Sequence, residues 1–165
     1  MAATASVSAR KFVEFLRAPD TGVGAAIGQL ALERGVEAGP IAPEQIRGQN
    51  VAPELAEKAT IAHYPVIHVY ADRVRNLQTE KWRVFSGKVR TVAEVRVSQD
   101  RVEGIEEQLH LCVDGVVQVL DGSRGNWGEG AFFSGGYEVQ YDQVKRGGKN
   151  LLQIARVSFE VDLSK

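Results

Sequence analysis

The sequence predicts an α+β protein in which one antiparallel sheet carries helices mostly on one face. In the second half of the chain, apolar residues recur at every second position in segments bounded by turns, which is typical of strands with one buried face. Between two pairs of such segments, apolar residues recur with the period of an α-helix. We therefore expect an antiparallel four-stranded sheet with a long helix packed on one face, in the order β-β-α-β-β, preceded by N-terminal helices.

The N-terminal part, residues 1–60, is expected to contain two helices and a loop. The first helix spans Ser6 to Arg17, and the second begins at Asp20 or Thr21 and ends at Arg34, because Gly35 can adopt the left-handed conformation that closes a helix. From residue 36 to residue 60, glycines and prolines predict a long loop with a short helix at Pro53 to Lys58. A chain of 165 residues is long enough for one domain with a single core, so we treat 1–165 as one domain.

The second part, residues 61–165, contains the predicted α+β core. Its four predicted strands are Tyr64 to Tyr70, Lys88 to Val97, Tyr137 to Tyr141 and Leu151 to Leu163. In the second strand, alternation places Arg90 and Arg96 on the solvent-facing side. Asp100 with Glu103 resembles a capping box, so we expect the long helix to include Val102 and to end before Gly122.

Bulk composition is that of an ordinary soluble globular protein, with 44% hydrophobic and 25% charged residues and a net charge of −1. Near-neutral charge argues against a protein that coats nucleic acid, because such binding depends on clustered cations. No apolar stretch approaches the roughly 20 residues of a transmembrane helix, and the first residues do not resemble a secretory signal, so we expect a start in the cytoplasm and no membrane. The single cysteine, Cys112, is expected to be a buried apolar residue rather than a nucleophile.

Charge is unevenly distributed along the chain. Asp72 to Arg101 contains eight basic and four acidic residues, whereas Val102 to Asp121 contains five acidic residues and no lysine or arginine. The two stretches are either solvated faces of opposite sign or complementary patches that meet between identical subunits.

The sequence contains no convincing pattern for catalysis, cofactor binding or metal binding. Gly22 to Gly28 has the spacing GxGxxxG without a preceding strand, so a dinucleotide site is not expected. His63 and His68 would lie on opposite faces of a strand, and the adjacent Glu106 and Glu107 would diverge on a helix. We therefore expect no enzyme activity, no cofactor and no metal.

Three segments resemble the tail terminator or tail-completion (neck) proteins of long-tailed bacteriophages. They are the strand YPVIHVY from Tyr64, the strand and helix FSGKVRTVAEVRVSQDRVEGIEEQLHLCVDGVVQVLD from Phe85, and the close from Gly135 to Leu163 with KRGGKN before LLQIARVSFEVDL. Together they cover about 100 residues, all C-terminal to His63. The motifs are patterns of strand, helix and turn rather than catalytic signatures.

The resemblance implies a structural virion protein that forms a ring, typically hexameric, on the last ring of the tail tube. Its implied partners are further copies of itself, the tail tube protein and neck or connector proteins, with genomic DNA passing through the lumen without sequence-specific binding. The implied location is the tail or neck of the virion, after assembly in the host cytoplasm.

Interface candidates are chosen because exposed arginine and aromatic side chains dominate binding energies at protein interfaces. They are Arg73, Arg75, Arg90, Arg96, Trp127, Phe132, Phe133 and Tyr137. The aromatic members could instead close the core beneath a long loop. Three other functions stay open: a head-completion or connector neck protein, a small-ligand binding module or enzyme, and nucleic-acid binding through the basic stretch from Arg73 to Arg101.

Overall fold

The computed structural model describes residues 4–55 and 63–165. It is an α+β structure with N-terminal helices and a strongly curled, mixed, mostly antiparallel eight-strand sheet on which a helix packs. The helices are α1 (Thr4–Arg17), α2 (Val23–Arg34) and α3 (Ile105–Asp121), with a 3-10 turn at Pro43–Gln45. The strands are β1 (Ile46–Arg47), β2 (Val66–Asn76), β3 (Ser86–Gln99), β4 (Gly125–Gly128), β5 (Ala131–Phe133), β6 (Glu138–Tyr141), β7 (Lys145–Gly147) and β8 (Asn150–Ser164).

The sheet has the strand order β1-β2-β3-β8-β5-β4, and β6 and β7 also pair with β8. Its centre is the long antiparallel pair β3 and β8, which runs from Ser86 opposite Ser164 to Gln99 opposite Leu151. The four predicted strands correspond to β2, β3, β6 and β8. Four further strands, β1, β4, β5 and β7, were not predicted because two to four residues are too few to show a hydrophobic period.

Strand β2 is longer than expected and irregular. It extends to Asn76 rather than ending at Tyr70, and its pairing with β3 shifts between Ala71 and Arg73, which marks a β-bulge. Strand β1 pairs with β2 only at Ile67 and His68. Among the described residues, the rest of that edge of β2 has no neighbouring strand.

The first two helices match the predicted pattern closely. In α1, Phe12, Val13 and Leu16 are buried on one face. Helix α2 begins at Val23, slightly later than expected, and ends as predicted at Gly35, whose φ of 65° is the left-handed conformation of a helix C-terminus. Of the predicted short helix at 53–58, only its first residues are described and they are helical; the rest lies outside the described residues.

The start of α3 corrects the prediction. The helix begins at Ile105 after Gly104, which has a φ of 83°, and Val102 is 62% exposed before it. Because β3 continues to Gln99, Asp100 belongs to the turn that leaves the strand. The Gln99 side chain donates hydrogen bonds to the carbonyls of Arg101 and Glu103, so the turn is closed without the expected capping box.

Helix α3 is buried on two sides, between the sheet and α2. Leu109 and Val116 are fully buried, as predicted, and Cys112 is buried as well. Gly115 allows close approach of α2, because a Cβ at this position would lie 2.7 Å from Cγ1 of Ile27. Leu111 and Val119 share the Gly115 side of the helix and are also buried. The helices therefore form two layers over one face of the sheet and leave the other face for different contacts.

Candidate interaction surface

The face of the sheet that points away from α1 and α3, the outer face, has two different halves. Every second residue of β3 points to it, and the register puts each next to a residue of β8. At the start of β3, Lys88 is opposite Asp162 and Arg90 is opposite Glu160. Further along, Glu94 is opposite Arg156. The first half is charged and partly exposed, and we call it the charged half; in the second half Glu94, Arg96 and His68 are buried while Arg156 is partly exposed, and we call it the buried half.

The charged half contains alternating cations and anions. Lys88 Nζ lies 3.1 Å from Asp162 Oδ1 and 3.6 Å from Glu160 Oε2, and the hydrogen bond to Asp162 raises the pKa of Lys88. Arg75 contacts Glu160 at 3.5 Å, and Arg90 contacts Asp72 at 3.7 Å. Exposed pairs of this kind contribute little to folding stability. Their arrangement is better suited to orienting a partner than to holding the fold together.

Several predicted interface residues meet on this half. Arg73, Arg90 and Tyr137 line a cleft of about 370 Å³ together with Glu138 and Ser158. Tyr137 is 45% exposed. Arg75 lies two residues after Arg73 on β2. Of these interface candidates, Arg73, Arg75 and Tyr137 are exposed and Arg90 is partly exposed, so all four are accessible in the monomer.

Phe132 is also exposed, at the neighbouring edge of the sheet. It lines a smaller cleft of about 270 Å³ with Leu77, Lys88 and Asp162. Its ring therefore borders the charged half through Lys88 and Asp162. The alternation along β5 points Phe132 outward and Phe133 inward.

The prediction of an exposed Arg96 is wrong, because its side chain is only 4% exposed. Arg96 Nε donates a hydrogen bond of 2.7 Å to Glu94 Oε2, and its Nη2 donates to the carbonyl of Val51. Strand alternation identified the correct face. It could not show that the segment ending at Val51 crosses that half of the outer face and buries it.

The predictions for Trp127 and Phe133 are also wrong, since both side chains are in the core. The Trp127 ring packs edge-on against Phe15 with centroids 5.1 Å apart, and its Nε1 donates a hydrogen bond to the carbonyl of Ser123. Phe133 packs against Phe159 at 5.5 Å. The alternative considered from the sequence, in which aromatic side chains close the core under a loop, holds for these two residues.

Sequence reasoning missed the most exposed aromatic side chain. The turn between β2 and β3, Leu77 to Phe85, presents Trp82 with 95% and Val84 with 78% of the side chain exposed; we call this turn the Trp82 hairpin. Lys81 and Arg83 flank the tryptophan. The available signal was a tryptophan that stands between two cations in the connection between two predicted strands.

The Trp82 hairpin is held in shape by its own polar groups. The Asn76 Oδ1 accepts hydrogen bonds from the backbone N–H groups of Gln78 and Ser86, both at 3.2 Å. Gln78 Nε2 donates to the carbonyl of Arg83 at 2.9 Å, and the N–H of Glu80 donates to Ser86 Oγ at 2.9 Å. A partner that binds Trp82 would therefore meet a turn that is already ordered, which lowers the entropic cost of binding.

The buried half of the outer face contains a connected polar network. Arg156 Nε donates to Glu94 Oε1 at 3.1 Å, and its Nη1 bonds both oxygens of Asp142 at 3.0 and 2.9 Å. Tyr70 Oη donates to the same Glu94 oxygen at 3.3 Å, and burial raises the pKa of Tyr70. Since these carboxylates and guanidinium groups already pair with one another, the network is suited to structural support rather than acid–base chemistry.

His68 lies beside this network and is 1% exposed. Its Nε2 is 3.3 Å from the side-chain amide nitrogen of Gln49, and its buried Nδ1 has no hydrogen-bond partner among the described residues. Burial, and next the positive charge of Arg96, lower the pKa of His68 to about 4. The imidazole is therefore neutral in the folded protein at ordinary pH.

A second surface feature lies on the helical side and is called the helix groove here. It has a volume of about 670 Å³ between the end of α1, the start of α2, the end of α3 and β4. Its lining includes Glu14, Phe15, Asp20, Ala25, Gln29, Gln118, Val119, Arg124 and Trp127. Aromatic and small apolar groups form its floor, and charged groups stand at its rim.

Within residues 4–55 and 63–165, no group of three or more His, Cys, Asp or Glu residues is arranged to hold a metal ion. Burial raises the pKa of Cys112 to about 12, so its thiol is unsuited to nucleophilic chemistry. No helix in the described part of the chain is long and apolar enough to cross a membrane.

Comparisons with known proteins add no family to these observations. No protein-family model matches the chain, and no curated protein matches it significantly. The resemblance to tail terminators therefore depends on the strand, helix and turn patterns themselves.

Proposed function

We propose that the protein is a structural virion component of a long-tailed bacteriophage, which caps the tail tube as a ring and forms part of the head-to-tail joint. The observation that carries this proposal is the Trp82 hairpin next to the charged half of the outer face. Trp82 is exposed on an ordered turn, and the nearby arginines Arg75 and Arg90 lie on the surface in pairs with carboxylates. Tryptophan and arginine side chains are enriched among the residues that dominate binding energy at protein interfaces. The resemblance in sequence pattern supplies the class of assembly.

The proposed family core consists of β2, β3, α3, β6 and β8, in the order β-β-α-β-β. The three segments that resemble tail terminators coincide with these elements. In this proposal, the short strands β1, β4 and β5 and the two N-terminal helices are additions to that core, whereas β7 lies inside the third resembling segment. The additions widen the sheet and cover one side of α3, so they provide surfaces for subunit contacts.

The proposed partners follow from the same assembly. Identical subunits would form the ring, most simply a hexamer, with the tail tube protein on one side and neck or connector proteins on the other. Genomic DNA would pass through the lumen without sequence-specific binding, in keeping with a net charge of −1. The protein would act without catalysis or cofactor and would be found in the virion tail or neck after assembly in the host cytoplasm.

The decisive experiment measures the mass of the purified protein by light scattering and its symmetry by negative-stain class averages. A six-fold ring near 108 kDa, six times the 18.0 kDa chain, that also caps preassembled tail tubes would support the proposal. A chain that neither self-associates nor binds tube ends at high concentration would contradict it. A twelve-fold ring that binds the portal would favour the connector function instead.

A small-ligand binding module is the candidate from a different class, and the helix groove is the observation that favours it. Its volume of about 670 Å³ lies within the usual range for ligand pockets. The groove is open, and its ionisable groups, Glu14, Asp20 and Arg124, stand at the rim. A thermal-shift screen of metabolites is the test, and a ligand whose stabilisation is lost in Ala25→Arg would establish this function.

A further inference from the structure

We propose that the Trp82 hairpin of one subunit docks in the helix groove of the next copy of the chain. The inference depends on the proposed ring and identifies the two surfaces that would form it. Trp82 is 95% exposed on an ordered turn, so it is available as an anchor without rearrangement. A buried tryptophan contributes roughly 150 to 250 Å² of contact area, more than most side chains.

The groove has the floor that an indole ring requires. Phe15, Ala25, Val119 and Trp127 are among the residues that line it, and of these Val119 and Trp127 are buried in the monomer. Phe15 is half-buried and Ala25 is exposed, so both offer apolar surface that the monomer leaves uncovered. Aromatic groups on the floor favour edge-to-face or offset contacts with a further aromatic ring.

Charge complementarity identifies a second copy as the occupant. Lys81 and Arg83 stand on either side of Trp82, whereas Glu14 and Asp20 stand at the rim of the groove. Arg124, the basic residue of the lining, lies 3.8 Å from Asp121, and Arg83 of the hairpin lies 3.4 Å from Glu80, so the charges of both arginines are partly balanced. Opposite charges around an apolar anchor favour encounter in one orientation.

The hairpin and the groove belong to different elements, so their contact is of the head-to-tail kind. The hairpin joins β2 and β3, whereas the groove is formed by α1, α2, α3 and β4. Each subunit would therefore donate one hairpin and accept another. Contacts of this kind close into a ring when the rotation between neighbours allows it.

The first test is sedimentation velocity of the full chain, Trp82→Ala and Leu32→Ala. Leu32 is the matched control, because it is 86% exposed on α2 and does not line the groove. Trp82→Ala is expected to weaken self-association by at least about tenfold, as for other central tryptophan anchors, without changing Tm. Leu32→Ala should associate like the wild type. Equal association of all three proteins would overturn the inference.

The second test mixes two variants that each fail to form a ring. Trp82→Ala retains its groove but lacks the anchor, whereas Ala25→Arg retains the anchor but has a filled groove. If the contact is head-to-tail, the mixture should form a one-to-one complex, in which the hairpin of Ala25→Arg occupies the groove of Trp82→Ala. Two variants that stay monomeric in the mixture, although each has a wild-type Tm, would contradict the inference.

Tube binding separates this inference from the proposed function. If Trp82→Ala forms rings that no longer cap tail tubes, the hairpin binds the tube protein, and the self-docking inference is wrong while the function stands. If the wild type forms rings through these two surfaces but never caps tubes, the docking stands and the proposed function fails.

Discussion

Arg90 and Arg96 come from the same face of one strand but meet different surroundings. The Arg90 side chain is 36% exposed, whereas that of Arg96 is 4% exposed and pairs with Glu94, which is 7% exposed. The cost of removing a charge depends on whether it leaves its partner in water or in the interior. The two residues therefore provide a matched pair for mutation.

Arg96→Met is expected to lower the free energy of unfolding by about 3 kcal/mol or more. The reason is that the buried carboxylate of Glu94 would lose the hydrogen bond and the positive charge that Arg96 provides. Arg90→Met should change the free energy of unfolding by less than about 1 kcal/mol. Urea denaturation of both variants measures the difference. If Arg96→Met proved as stable as Arg90→Met, the buried half of the outer face would not be buried in solution.

His68 predicts how stability depends on pH. Its pKa is about 4 in the folded protein and 6.5 in the unfolded chain, so below pH 6.5 the unfolded state takes up a proton that the folded state does not. Stability is therefore complete above pH 6.5 and is lost as the pH falls toward 4, by about 3 kcal/mol in all. His68→Leu should flatten this part of the pH profile, as measured by chemical denaturation at several pH values.

The control for this pH profile is His110→Gln, which changes an exposed side chain on α3. It should retain the loss of stability that His68 causes, because His68 is unchanged in this variant. A wild-type profile in His68→Leu as well would show that other groups cause the acid sensitivity.

At the scale of elements, the start of α3 can be tested with two apolar residues. Leu109 is fully buried inside the helix, whereas Val102 precedes it and is 62% exposed. Leu109→Ala is expected to lower the free energy of unfolding by about 2 to 4 kcal/mol through lost burial and a cavity. Val102→Ala should change it by less than about 0.5 kcal/mol, because an exposed methyl group contributes little. If both variants lost a comparable amount of unfolding free energy, the helix would include Val102.

The long elements were predictable because their hydrophobic periods extend over many residues. Alternation from Lys88 to Val97 and the helical period around Leu109 both survive in β3 and α3. Strand β1 has two residues, and its place next to Ile67 depends on a contact distant in sequence. No local pattern contains that information, and the same holds for the strands that widen the other edge of the sheet.

The exposure of the interface candidates on the outer face was predicted correctly only where no other segment of the chain covers them. Arg73 and Tyr137, two of the interface candidates, line one cleft, although no pattern in the sequence indicated that they would come together. Arg96 has the same alternation as Arg90 but is covered by the segment that ends at Val51. The path of the whole chain determines which half of a sheet face a loop covers. The periodicity of a strand contains no information about that path.

At the scale of the whole molecule, opposite charges are placed on different surfaces. The Trp82 hairpin and the adjoining strands β2 and β3 carry seven basic and three acidic residues, whereas the lining of the helix groove includes Glu14 and Asp20. Long-range attraction between such surfaces acts mainly on the rate of encounter and is screened by salt.

Assembly is therefore expected to slow as salt rises from about 0.05 to 0.5 M, while rings that have already formed should persist, since the apolar Trp82 contact is not screened. Time-resolved light scattering after dilution into each buffer measures the rate. Lys81→Gln combined with Arg83→Gln should weaken the salt dependence of the rate, because the attraction to the acidic residues of the groove is lost. An assembly rate independent of salt in the wild type would exclude electrostatic steering between subunits.

The irregular edge of β2 has a consequence for the protein before it assembles. Beyond the bulge between Ala71 and Arg73, this edge has no neighbouring strand among the described residues, and it presents Arg73 and Arg75. A flat, apolar edge would recruit stray strands and drive precipitation, whereas a twisted and positively charged edge resists such pairing. We therefore expect this edge to resist strand-to-strand aggregation of the free chain.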